Sequence, residues 1–340
     1  MNDHSRWLNQ CPPTPPPAMA PTSADRAHER GRFRADIWDL LGDFPTRRKP
    51  VISWEPPETR DGLSYQRFAF DDGCGWRVPG VCWRPIGPGP FPAVLWCHWH
   101  GGQYDLGTEA IDRACQTPEA PGPTLARRGY VVLGIDAPGF GRRQGQGPDG
   151  NAGASGEASI AKFGLLTGRS MWGLILHDDL LALEVLAAMP EVDAGRLGVA
   201  GISLGCLRAL WLAALDERLR ATVAVCCLTR NRDLVAAGGL HLHAPYYYVP
   251  GLLRRYDIEH VLAAIAPRAL YAPNGELDPL TPINGVRTAE RLARPAWELE
   301  LASDRLRIAI EPGAGHAWTP TMWREALDFL DLHLTGSQKG

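Results

Sequence analysis

The sequence predicts an α/β protein built on a mostly parallel central sheet with helices on both faces. Three observations lead there. From residue 91 onward, short apolar runs alternate with stretches of helical periodicity. The runs are continuous in Val, Ile, Leu and Ala rather than alternating with polar residues, which suits strands buried on both faces. Two long irregular stretches follow strand ends, at the edge where open parallel sheets bind ligands.

The elements follow in chain order. Residues 11–22, "CPPTPPPAMAPT", read as a Pro-rich disordered leader, with 1–23 as its bounds. Residues 24–49 form an N-terminal helical segment in which Trp38, Leu40 and Leu41 anchor on the body and "FPTRRKP" ends the helix. Residues 50–90 hold short β-like pieces broken by Gly, Pro and Asp, and predict an antiparallel meander. Strands are predicted at 92–98, 130–137, 196–203, 221–228, 268–275 and 306–312. Helices are predicted at 124–129, 171–189, 204–219, 257–266, 283–294 and 321–335. The main domain thus spans 50–336, with lid insertions near 138–170, which is Gly-rich, and 229–256, which is rich in His and Tyr.

Composition excludes several classes. The chain has 340 residues, 45% hydrophobic and 21% charged, with a net charge of -3, which gives no electrostatic case for nucleic acid. No apolar run approaches the roughly 18 residues of a membrane span, and the N-terminus lacks the apolar core of a secretory signal. The eight cysteines show no C-x-x-C pair and no metal-type spacing. They read as thiols in a reducing cytoplasm. A homo-oligomer stays open.

Ser203 lies in "GISLG" (201–205), between a predicted buried strand and a predicted helix. A turn that sharp strains the serine backbone and leaves its hydroxyl at the mouth of the sheet. Small residues two before and two after, Gly201 and Gly205, avoid clashes. The N–H of Leu204, at the helix start, points at a developing oxyanion. A serine nucleophile needs a base, and the base an orienting carboxylate. His316, in the loop past the last strand, is the candidate base. Asp278, after the next-to-last strand, is the candidate acid, with Glu276 and Asp233 as competitors. A second oxyanion donor is expected in the loop after the first core strand, "HWHGG" (98–102). A metal site from Cys97, His98 and His100 is disfavoured, because strand alternation separates Cys97 from His98. This chemistry calls for no metal and no cofactor.

With these residues in order, the chain resembles the α/β-hydrolase superfamily over roughly residues 50–336, and is most similar to its dienelactone-hydrolase-like and acetyl-xylan-esterase-like branches. The motifs that carry the resemblance are "HWHGG", "DAPGFG" (136–141), "PEVDAGRLGVAGISLG" (190–205), "GELDP" (275–279) and "GAGHAW" (313–318). Trp99 stands where the family loop commonly has Gly, so the second donor is assigned to His100, with Gly102 the next choice. The nucleophile is serine where true dienelactone hydrolases use cysteine. The resemblance implies a Ser203–His316–Asp278 acyl-enzyme mechanism on a small-molecule carboxylic ester. The alternative is the same triad used for elimination, acyl transfer or cyclisation on a specialised metabolite. Trp99, Gly102, Tyr104, Trp172 and Trp318 are the expected substrate-binding residues, on the argument that an aromatic-lined pocket suits an apolar or cyclic substrate. His241 and His243 are read as surface residues of the lid.

Overall fold

A computed structural model describes residues 5–10, 15–17 and 22–336. Ten strands form one sheet: β1 (Ile52–Trp54), β2 (Glu58–Arg60), β3 (Leu63–Asp71), β4 (Arg77–Arg84), β5 (Phe91–Cys97), β6 (Val131–Ile135), β7 (Val192–Ile202), β8 (Leu219–Val225), β9 (Ala269–Gly275) and β10 (Leu306–Glu311). Their order is β1-β3-β4-β6-β5-β7-β8-β9-β10, with β2 paired to β3. The first four strands pair antiparallel and form the expected meander, and β4 also joins β6 antiparallel. The remaining pairs, from β6 through β5 to β10, are parallel. The chain runs from β5 outward to β6 and then returns to β7 on the other side of β5. That reversal opens a crevice at the C-terminal ends of β5 and β7, the usual ligand edge of such sheets.

The helices among the described residues are α1 (Ser5–Leu8), α2 (Ser23–Leu41), α3 (Pro121–Arg127), α4 (Gly153–Leu166), α5 (Met171–Ala187), α6 (Leu204–Leu215), α7 (Asn231–Ala236), α8 (Ile258–Ile265), α9 (Ile283–Glu298) and α10 (Pro320–Leu334). They cover the sheet on both sides, which is why its strands are apolar throughout. On β5, Ala93, Leu95 and Cys97 join one core, with residues of α2, α5, α6, α8 and α9. Val94 and Trp96 join the other, with residues of α3 and α10. Two buried ion pairs stitch the first layer together: Arg143 to Asp178 at 2.6 Å, and Arg208 to Asp179 through two hydrogen bonds of 2.9 and 2.5 Å. None of the described helices is long and apolar enough to cross a membrane.

The segment 138–170 contains α4, which its glycines conceal in sequence. Gly156 and Gly164 each carry an intrinsic helix cost of about 1 kcal/mol relative to Ala. Packing of Ile160 and Ala161 into the first core offsets that loss. Of the Pro-rich leader, residues 11–14 and 18–21 fall outside the described residues. Pro15–Pro17 line a groove beside Phe33, Tyr256 and His260.

Candidate active site

Ser203 joins β7 to α6 with φ 61° and ψ −118°, a conformation that L-residues rarely adopt. The turn is wedged against the end of β5. A Cβ on Gly205 would stand 2.1 Å from the Cys97 carbonyl oxygen, and one on Gly201 would stand 2.6 Å from the same atom. Backbone contacts this close leave no room for any side chain, so the two glycines set how near the turn comes to the loop after β5. The Ser203 N–H donates to the Val225 carbonyl at 3.0 Å, tying the turn to β8 as well. Leu204 is the first residue of α6, so its N–H has no carbonyl one turn earlier to bond.

Two further loops leave the same edge. His316 Nδ1 lies 2.8 Å from Asp278 Oδ2. A carboxylate only accepts, so Nδ1 carries the proton and Nε2 is left with a free lone pair. The Asp278 side chain is fully buried. It also accepts from the Leu280 N–H at 2.9 Å and the Thr281 hydroxyl at 3.1 Å. The competing acids are elsewhere: Glu276 accepts from the Gly313 N–H, and Asp233 is paired with Arg230.

Between these loops and Ser203 lies a strained turn. Cys226 and Cys227, at the end of β8, have φ 51° and 84°. The Cys227 N–H donates to Thr281 Oγ1 at 3.0 Å, which continues the hydrogen-bond chain to Asp278 and His316. Among the described residues no direct hydrogen bond joins Ser203 to His316. Such bonds are commonly long before substrate arrives. Ligand-type atoms of Cys226, Asp278 and His316 fall within 4.8 Å of one another. Burial, and then Asp278, push the Cys226 thiol up to about 12, so it stays protonated and donates to the Ala317 carbonyl. Cys226 and Asp278 thus have hydrogen-bond partners in the protein, while His316 Nε2 keeps its free lone pair.

The loop after β5 faces Ser203 across the crevice. His98 is buried, accepts from the Ala137 N–H at Nε2 (3.0 Å) and therefore donates from Nδ1 to the Trp99 carbonyl (2.7 Å). Burial holds its pKa well below the usual histidine value, so it is a neutral peg between the ends of β5 and β6. The Gly102 N–H donates to His100 Nδ1 at 3.0 Å, which removes Gly102 from the set of free oxyanion donors. The His100 N–H has no acceptor among the described residues.

Of the aromatic residues expected to bind substrate, Tyr104 is half-buried, and its hydroxyl donates to Glu157 of α4 at 2.7 Å. The tryptophans are placed as packing. Trp99 is 2% exposed and belongs to the second core. Trp318 stacks on Trp96 at 5.4 Å and 9°. Trp172 is fully buried between Trp211, Tyr246 and Tyr247. Their indoles face neighbouring side chains because the two core layers extend up to the sheet edge. His243, read as a surface residue, is buried instead. Its Nε2 meets the Leu280 carbonyl at 2.9 Å, and burial, with His316 nearby, lowers its pKa. Glu157, which no motif singles out, is 1% exposed and faces His100.

The comparisons agree with this architecture. Residues 119–267 match the family model described as acetyl xylan esterase (AXE1). A Bacillus subtilis (strain 168) protein named "Putative hydrolase YtaP" is 34% identical over 308 residues, spanning 90% of this chain and 100% of the relative. Among solved structures, a glucuronoyl esterase from Solibacter usitatus superposes with a TM-score of 0.72 at 16% identity, covering 96% of this chain and 99% of the other. A "putative acetyl xylan esterase" from Bacteroides fragilis NCTC 9343 gives 0.72 at 18% identity, with 91% and 80% covered.

Proposed function

The chain belongs to the family of the Bacillus subtilis hydrolase YtaP, and from that premise we propose that it is an acetyl-xylan-esterase-like carboxylic ester hydrolase that works through an acyl-enzyme on Ser203. The observation that carries this reading is the buried Asp278–His316 hydrogen bond at the sheet edge that also presents the strained Ser203.

In this mechanism His316 Nε2 takes the Ser203 proton as Oγ attacks the ester carbonyl. The tetrahedral oxyanion is stabilised by the N–H groups of Leu204 and His100. His316 then protonates the leaving alcohol, and water activated by the same nitrogen releases the acid. Asp278 holds the ring with Nδ1 protonated and stabilises the imidazolium that forms in each half-reaction. Ser203 is only 7% exposed, which favours a small acyl group.

The test is hydrolysis of a short-chain p-nitrophenyl ester beside labelling with a fluorophosphonate. Wild type should turn over and label. Ser203→Ala should lose about a thousandfold or more in kcat and should not label. A wild-type chain that neither hydrolyses nor labels overturns the reading.

A further inference from the structure

The loop that carries the proposed oxyanion donor is tied to α4 by two side chains, His100 and Tyr104, and His100 is the one that also bonds the loop's own backbone. Its Nδ1 accepts from the Gly102 N–H at 3.0 Å, so Nδ1 is unprotonated and Nε2 bears the hydrogen. Nε2 points at Glu157 and lies 3.2 Å from each carboxylate oxygen. Glu157 stands on α4, distant in sequence, and its other hydrogen-bond partner among the described residues is the Tyr104 hydroxyl at 2.7 Å. Among the described residues no arginine or lysine pairs with Glu157, and its contact with neutral His100 is a hydrogen bond. The ring is also clamped by aromatic neighbours. It stacks on Tyr246 at 5.3 Å and meets Tyr104 and Phe140 edge-on at 5.0 and 5.1 Å. The His100 carbonyl accepts from the Gln103 N–H at 2.9 Å, which closes the turn.

The parts act in sequence. The Glu157 carboxylate selects the Nε2–H form of His100. That form leaves Nδ1 free to hold the Gly102 N–H. The bond to Gly102 fixes the turn and so the direction of the His100 N–H. A buried carboxylate with no arginine or lysine beside it costs stability unless its hydrogen bonds compensate. Here both of those bonds run to the loop that faces the nucleophile.

We infer that Glu157 is a positioning residue, which acts through the His100 ring to aim the backbone of the 98–103 loop at the developing oxyanion. This rests on the acyl-enzyme reading above. It adds to that reading a dependence of the chemical step on the lid helix α4.

The experiment compares kcat and KM on p-nitrophenyl acetate, with melting temperature, for Glu157→Gln, Glu157→Ala, His100→Asn and His100→Ala. An asparagine places an amide oxygen near the position of Nδ1, so it can accept from Gly102 while losing the reach to α4. Misplacing an oxyanion donor costs on the order of a hundredfold. His100→Ala and Glu157→Ala should therefore lose about a hundredfold in kcat, with KM changed less than about threefold. Glu157→Gln, which keeps shape and an acceptor oxygen, should lose about tenfold. His100→Asn should recover most of what His100→Ala loses. A Glu157→Ala enzyme whose kcat stays within about threefold of wild type overturns the inference. So does an equal loss in His100→Asn and His100→Ala, or a kcat loss in Glu157→Gln that only follows a fall in melting temperature. Each of these leaves the acyl-enzyme reading intact, whereas a wild type with no more activity than Ser203→Ala removes that reading itself.

Discussion

The acid–base side of the candidate site and the side that faces it are held by different means. Ser203, Asp278 and His316 each follow directly on a parallel strand, and their positions depend on backbone turns and on hydrogen bonds between neighbouring loops. The opposite wall, residues 98–104, relies on side chains from elsewhere in the sequence: Glu157 on α4, Phe140 after β6 and Tyr246 in the second lid segment. A wall of the first kind is as rigid as the sheet. One of the second kind is as rigid as its weakest tertiary contact.

The largest expected effect sharpens that contrast. Asp278→Asn should lower kcat about 10⁴-fold at neutral pH, because an amide can present the wrong hydrogen to His316 and fix the wrong tautomer. The melting temperature should move little beside that loss, since the turns around it remain. In the packing behind the other wall, the dominant effect should be on stability. Trp172→Ala opens a cavity between Trp211, Tyr246 and Tyr247 and should cost about 3–5 kcal/mol in a denaturant titration. If KM rises with no loss of stability, Trp172 is a pocket wall and the contrast fails. Gly205→Ala should cost about 1–3 kcal/mol from overpacking against Cys97.

A smaller effect is set by pH. His98 is buried with a depressed pKa, so below about pH 6.5 the unfolded chain binds a proton that the folded chain does not. Stability is fully present above that pH and falls as pH drops towards the folded value, by up to about 1.4 kcal/mol per pH unit. Melting curves from pH 8 to 5 should show the decline, with a shallower slope in His98→Asn. His177, His243 and His260 are shifted in the same direction and should leave part of the slope in place. Smallest of all, Glu276→Ala should keep kcat within about threefold, because its carboxylate bonds the Gly313 N–H and not His316. A loss comparable to Asp278→Asn would reassign the acid.

What could be read from the sequence divides along the same line. The parallel strands were legible because burial on both faces leaves uninterrupted apolar runs. The loops of Asp278 and His316 were legible because each follows its strand directly, with turn residues beside it. Glu157 was not, since its helix is diluted by glycine and its partner lies far away in sequence. His243 read as exposed because nothing local records that the Asp278 loop covers it. The burial of the tryptophans was not legible for a related reason: a residue near a predicted edge loop can still belong to the layer beneath it, as Trp318 does on Trp96.

The contact of Gly201 and Gly205 with Cys97 has a consequence for how such a scaffold diversifies. The gap between the Ser203 hydroxyl and the loop opposite is gauged by main-chain atoms in close approach, like a jig that sets spacing whatever tool is mounted on it. Segments 138–170 and 229–256 lie outside that jig. Apart from Phe140, Glu157 and Tyr246, which hold the loop opposite, their exposed residues can change for a new ester while the spacing set by the main chain stays the same.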